Sequence, residues 1–135
     1  MSNYVPKDLE FDQEGRDKLI SGISKISKAV KSTLGPRGKT VLIESSNHTQ
    51  GITITKDGVT VAESISLIDP VENLAITMMK DAARRTANSA GDGTTTAIVL
   101  TEALVKSGEK FLKPEHNITE VVKSIKVITD KVVSS

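Results

Sequence analysis

The chain has 135 residues, 37% of them hydrophobic and 26% charged, which is typical of one soluble globular domain. A net charge of +1 and an aromatic content of 2% argue against nucleic-acid binding, because both basic excess and stacking surfaces are lacking. The absence of cysteine excludes disulfides and thiolate metal sites, and the absence of a long apolar run excludes a membrane helix.

The first half of the sequence predicts one long helix followed by a β-hairpin. The helix runs from about Asp12 to Leu34 and ends at Gly35-Pro36, because glycine accepts a left-handed cap and proline cannot continue a helix. Its apolar stripe has residues three or four positions apart, namely Leu19, Ile23, Ile26, Val30 and Leu34. The β-branched runs at 40–43 and 52–55 predict a hairpin with a long polar tip.

The second half predicts three further helices. They start near Asp69-Pro70, at Thr94 and after Asn117, and the first two end at Gly91 and around Ser107-Gly108. Their expected apolar faces are Val71, Leu74, Met78 and Ala82; Ile98, Leu100, Ala103 and Leu104; and Val121, Val122, Ile125, Ile128 and Val132. Either the four helices cover one another's apolar faces, or the partners lie in sequence outside these residues.

Two glycine-bearing segments each allow two interpretations. Residues 33–38 form either a plain helix stop and turn, or a close backbone approach that presents amides to phosphate oxygens. Residues 55–58 form either an ordinary turn or a site. In the second case Asp57 orients or deprotonates a water, and Lys56 offsets negative charge nearby.

The third segment, Gly91 to Thr96, carries the strongest chemical signal. Two glycines precede a helix start that bears three threonines, whose hydroxyls and free amides together suit an anion. Asp92 would repel a bare phosphate unless a divalent cation bridged them, which is a usual magnesium environment. The alternative is a simple N-capped helix after a glycine turn. The chain contains neither a Walker Gly-Lys-Ser/Thr ending nor a Gly-x-Gly-x-x-Gly fingerprint.

Taken together, the three segments resemble signatures of one family. Thr-Leu-Gly-Pro-Arg-Gly at 33–38, Ile-Thr-Lys-Asp-Gly-Val at 54–59 and Ala-Gly-Asp-Gly-Thr-Thr-Thr-Ala at 90–97 resemble the equatorial domain of group I (GroEL-type) chaperonins. The resemblance implies a mainly α fold with one β-hairpin stem-loop. Residues 1–135 would be the N-terminal part of the equatorial ATP-binding domain, with the intermediate and apical domains absent.

The resemblance also implies residue roles and cofactors, which are ATP/ADP and Mg²⁺. Asp57 matches one of two aspartates that position the attacking water, and Asp92 matches the magnesium ligand. The residues that match nucleotide-binding positions are Thr33, Leu34, Gly35, Pro36, Lys56, Asp92, Gly93, Thr94, Thr95 and Thr96.

The function implied is that of a cytoplasmic, ATP-dependent protein-folding chaperonin subunit. Its partners would be other subunits of a ring, joined through the hairpin at 39–55, with non-native polypeptides and a co-chaperonin in the intact assembly. We expect little or no hydrolysis from this chain alone. One alternative is a truncated interaction module that joins or modulates a chaperonin ring without its own ATPase activity. Another is a stand-alone small nucleotide-binding protein.

Overall fold

The computed structural model describes residues 12–44, 52–113 and 115–135. These residues form α1 (Asp12–Lys31), β1 (Val41–Glu44), β2 (Ile52–Thr55), α2 (Gly58–Ser64), α3 (Pro70–Ala90), α4 (Thr94–Phe111) and α5 (Ile118–Ser134). The predicted mainly helical class with one β-hairpin is confirmed. The strands pair antiparallel, with Val41 opposite Thr55 and Glu44 opposite Ile52. The rest of the predicted tip, residues 45–51, lies outside the described residues.

Helix starts agree with the capping signals in the sequence. Asp69 caps α3 by accepting hydrogen bonds from the amides of Val71 (2.9 Å) and Glu72 (3.0 Å), and proline occupies the first turn. Asn117 caps α5 in the same way through the amide of Thr119 at 3.0 Å. Local side-chain chemistry therefore determines where these helices begin.

Two helix ends and one additional helix differ from the prediction. Helix α1 ends at Lys31 and not at Leu34, because the amides of Thr33 and Leu34 bond only three residues back, which tightens the chain into a turn. The segment after Asp57 is a helix of its own, α2. Helix α4 continues through Gly108 to Phe111, since one glycine inside a helix costs only about 1 kcal/mol.

The core lies where α1, α3 and α4 pack on one another, with α2 beside α1. Its buried apolar residues are Ile26, Val30, Ala62, Ile76, Met79, Ala83 and Ile98. On α4 only one of the four residues predicted for the apolar face, Ile98, is buried, and Ala103 is among the exposed ones. Leu100 and Leu104 are also exposed, and Glu102 is buried instead.

The predicted apolar face of α3 was wrong. Leu74 and Met78 are 55% and 62% exposed, and the buried face carries Ala75, Ile76, Met79 and Ala83. Both faces have helical spacing, but the buried one offers the small residues that let helices approach closely. A Cβ added to Gly22 of α1 would lie 3.0 Å from the Cβ of Ala75, which marks such an approach.

Helix α5 has no buried residue. The apolar side chains of Val122, Ile125, Ile128 and Val132 are exposed, so the other described helices do not cover them. Among the described helices, none is both long and apolar enough to cross a lipid bilayer.

Candidate functional site

The first predicted segment forms a closed loop after α1. The amide of Lys39 bonds to the carbonyl of Ser32 at 2.7 Å, and the amide of Gly38 bonds to the carbonyl of Gly35 at 2.9 Å. Thr33 is half-buried, and its hydroxyl donates to the carbonyl of Val30 at 2.7 Å. Residues 34–36 are exposed on the outside of the loop. The loop is thus held by its own backbone, and Thr33 faces the body of the protein.

The second segment ends with Asp57 as the N-cap of α2. Its carboxylate accepts the Thr60 hydroxyl at 2.7 Å and the amides of Val59 and Thr60 at 3.1 Å each. The Thr60 hydroxyl, together with these amides, outweighs partial burial and holds the pKa of Asp57 below its ordinary value. An exposed carboxylate fixed in its ionised form suits the orientation of a water better than strong proton abstraction. Lys56, just before it, is exposed.

The third segment joins α3 to α4 through two left-handed glycines. Gly91 has φ 76° and Gly93 has φ 87°, a region that residues with a Cβ rarely occupy. Gly93 occupies the N-cap position of α4, where no side chain caps the helix, so the first amides are open to a ligand. Thr94 is buried, Thr95 is half-buried and Thr96 is exposed. Asp92 is exposed, and its Oδ1 accepts the Gly93 amide at 2.6 Å.

The three segments meet at Gly58, the residue after Asp57. An ideal Cβ placed on Gly58 would lie 2.5 Å from Oγ1 of Thr95 and 3.0 Å from Oγ1 of Thr33. The start of α2 therefore touches the loop after α1 and the start of α4 at once. Thr33 is 25 positions before Gly58 and Thr95 is 37 positions after it, so the fold brings distant parts of the sequence together here.

The arrangement fits a magnesium-bound phosphate. Within the described ranges, no group of three or more His, Cys, Asp or Glu side chains converges, so a cation at Asp92 would have at most one further ligand of these types. Magnesium commonly binds through one or two carboxylates together with phosphate oxygens and waters. The open start of α4 supplies amide donors and a favourable dipole for those phosphates.

Three residues at or near the candidate site were not predicted from the sequence. Gly58 is the contact point of the segments, and Thr60 holds the carboxylate of Asp57. Glu102 is buried on α4, at 5% exposure. For Glu102 a weak signal existed, because it follows Thr95 and Ile98 at helical spacing on one face.

Comparison with known proteins identifies the family to which this fold belongs. The model of the TCP-1/cpn60 chaperonin family matches residues 26–135. A similar solved structure is the chaperonin gp146 from the bacteriophage EL 2 (Pseudomonas aeruginosa) in the presence of ATP-BeFx. In its crystal form II it is 35% identical with a TM-score of 0.70, over 82% of this chain and 20% of that one. For its crystal form I, also 35% identical, the TM-score is 0.68, over 76% and 18%.

The chain thus spans about a fifth of the length of these structures. The family model covers well over half of the chain, including all three glycine-bearing segments. The chain belongs to the TCP-1/cpn60 chaperonin family.

Proposed function

We propose that this chain forms the phosphate- and magnesium-binding part of the nucleotide site of an ATP-dependent chaperonin. The observation that carries the proposal is the meeting of Thr33, Gly58 and Thr95 beside the uncapped start of α4. The similar chaperonin gp146, determined in the presence of ATP-BeFx, supports a nucleotide as the ligand.

The phosphate contacts would come from the start of α4. The amides of residues 94–96 have the free donors and positive helix end that anions require, and the threonine hydroxyls add further donors. Asp92 would hold Mg²⁺, which supplies the charge that lets a carboxylate and phosphates lie together. Gly93, with its left-handed backbone, lets the chain approach the ligand closely.

The other predicted contacts lie on the two neighbouring segments. Thr33, Leu34, Gly35 and Pro36 would line the nucleotide along the loop after α1, and the exposed Lys56 would offset phosphate charge. Asp57 would orient the attacking water, since its carboxylate is kept ionised by Thr60 and two amides. In the complete enzyme Asp57→Ala should therefore slow hydrolysis and spare nucleotide binding.

The test is an NMR titration of the 135-residue chain with Mg·ATP up to millimolar concentration. Amide signals of residues 93–96 should shift progressively as ATP is added with Mg²⁺ present. In wild type these shifts should be smaller when EDTA replaces Mg²⁺, and in Asp92→Ala they should be the same with Mg²⁺ and with EDTA. Asp130→Ala on the exposed face of α5 is the matched control and should behave as wild type. Wild-type signals of residues 93–96 that do not respond to Mg·ATP would contradict the proposal.

The hairpin gives reason to keep the interaction-module alternative. Leu42 and Ile54 are each 67% exposed, and the described two-stranded sheet leaves strand edges available for pairing. We propose other chaperonin subunits as the partners of residues 39–55, with polypeptide clients and a co-chaperonin for the whole assembly. Co-purification with full-length subunits, without Mg·ATP binding by the chain itself, would favour the module. A free monomer in cell extract would exclude it.

A further inference from the structure

Two clusters of the same composition tie α1 to its neighbours. The distal clamp consists of Ser21, Lys25 and Glu72. Glu72, in the first turn of α3, accepts the Ser21 hydroxyl at 2.7 Å and the Lys25 ammonium at 2.6 Å on each carboxylate oxygen. Serine and lysine stand four positions apart, so they share one face of α1. This clamp fixes the middle of α1 on α3.

The proximal clamp consists of Ser27, Lys31 and Glu102. Glu102 of α4 accepts the Ser27 hydroxyl at 2.6 Å and also the Lys31 ammonium, and serine and lysine are again four apart. Lys106 adds a third donor at 2.8 Å from within α4. Because Ser27 and Lys31 of α1 both bond to Glu102 of α4, the cluster ties one place on α1 to one place on α4.

Burial distinguishes the proximal clamp from a surface ion pair. Ser27 is fully buried and Glu102 is 5% exposed, beside the apolar side chains of the core. A buried carboxylate with its donors adds little stability over apolar residues of the same volume, because desolvation offsets the attraction. In some proteins a buried polar group of this kind serves instead to select one register between two helices.

The proximal clamp lies next to the candidate site. Lys31 is two residues before Thr33, and Glu102 is seven residues, or two helical turns, after Thr95 on the same face. Along α4 this separation is about 10 Å. Sliding α4 on α1 would therefore change the meeting of Thr33 and Thr95 at Gly58 directly. The distal clamp is a further six residues away along α1.

We propose that the proximal clamp is a positioning device for nucleotide, which sets the register of α4 on α1 and thereby the spacing between the loop at 32–39 and the open start of α4. The inference rests on the proposed function, since it names residues that act on the same site without touching the ligand. The distal clamp has the same chemistry and serves only to hold α1 on α3.

Paired apolar variants separate positioning from stability. Ser27→Ala/Glu102→Leu removes the proximal clamp, and Ser21→Ala/Glu72→Leu removes the distal one as the matched control. The proximal variant should unfold at the same or higher denaturant concentration than wild type. It should nevertheless bind Mg·ATP about tenfold more weakly in the NMR titration, because small misplacements of binding groups are costly. The distal variant should bind as wild type does.

The outcomes are distinguishable. Binding by the proximal variant within twofold of wild type would overturn the inference and leave the proposed function standing. If wild type itself does not bind Mg·ATP, the proposed function fails. In that case the free-state amide shifts of Thr33 and Thr95 still decide whether the clamp sets the register, since unchanged shifts in the proximal variant refute it. Should that variant not fold, Glu102→Gln, which loses the ion pairs with Lys31 and Lys106, should also bind Mg·ATP more weakly than wild type. Wild-type binding together with unchanged amide shifts of Thr33 and Thr95 in Glu102→Gln would overturn the inference.

Discussion

Gly58→Ala tests the meeting point of the three segments most directly. The added Cβ would stand 2.5 Å from one threonine hydroxyl, that of Thr95, and 3.0 Å from another, that of Thr33. Neither threonine can turn aside freely, because its side chain is branched at Cβ. In addition, the Thr33 hydroxyl is bonded to the carbonyl of Val30 at 2.7 Å.

The expected sign follows from two opposing effects. Alanine is favoured over glycine in a helix by at most about 1 kcal/mol. Overpacking costs roughly 1–3 kcal/mol, and breaking the Thr33 bond costs about 1 kcal/mol more. The steric effect is the larger, so Gly58→Ala should lower the free energy of unfolding by about 1–3 kcal/mol. It should also weaken Mg·ATP binding, because the start of α2 is pushed away from the start of α4.

The assay is urea unfolding followed by circular dichroism, paired with the NMR titration. Gly108→Ala is the control, since its Cβ would meet only the Cδ1 of Leu112, at 3.5 Å, within the described residues. This control should raise the free energy of unfolding by about 0.5–1 kcal/mol, the helix-propensity gain alone. If Gly58→Ala is as stable as Gly108→Ala and binds Mg·ATP normally, the contact between the segments is not as described.

Two further changes probe acid stability and capping. Burial raises the pKa of Glu102, but Lys106, Lys31 and Ser27 more than offset it and hold the pKa at about 2, against an ordinary value of 4.5. The carboxylate therefore stabilises the fold fully above about pH 5 and loses this effect as the pH falls towards 2. Since the two lysines are half-exposed, the free energy of unfolding should fall by about 1–2 kcal/mol over this range. Urea unfolding at pH 6, 4 and 3 measures this loss, which should be absent in Glu102→Gln and retained in the control Glu109→Gln. Asn117→Ala removes the cap of α5 and should destabilise that helix by about 1 kcal/mol. Because α5 has no buried residue, faster amide exchange in α5 should appear without a change in the global unfolding midpoint, and a shifted midpoint would show that α5 is packed.

Local chemistry made the capped helix boundaries predictable, namely the starts of α3 and α5 and the end of α3. Asp69 and Asn117 are cap residues in the sequence and caps in the structure, and Gly91 ends α3 in the left-handed conformation expected of it. These features depend on bonds between residues two to four positions apart. At these capped ends the sequence pattern is therefore sufficient, whereas the end of α1, which carries no such cap, was predicted three residues too late.

Faces and contacts between distant segments were less predictable. On α3, Leu74 and Ile76 both belong to helically spaced apolar sets, and nothing local decides which set α1 covers. Glutamate is also usually found on the protein surface. Glu102 is nevertheless buried, because side chains from α1 and α4 donate hydrogen bonds to its carboxylate. The meeting of Thr33 and Thr95 at Gly58 could not be predicted from the sequence either, because it depends on how α1, α2 and α4 pack together.

The three threonines at 94–96 stand out in the sequence, but only the structure separates their environments. Threonine is a poor helix former, so three in succession at a helix start call for a reason beyond capping. In the structure each lies in a different environment, because successive helical residues turn by about 100°. Thr94 faces the core, Thr95 contacts the start of α2 at Gly58, and Thr96 faces solvent. Of the three threonines, Thr95 is therefore the one that lies at both the start of α4 and the start of α2, beside the Asp57 turn. If the proposed site binds nucleotide, we expect Thr95 to be the residue that links phosphate binding to water positioning.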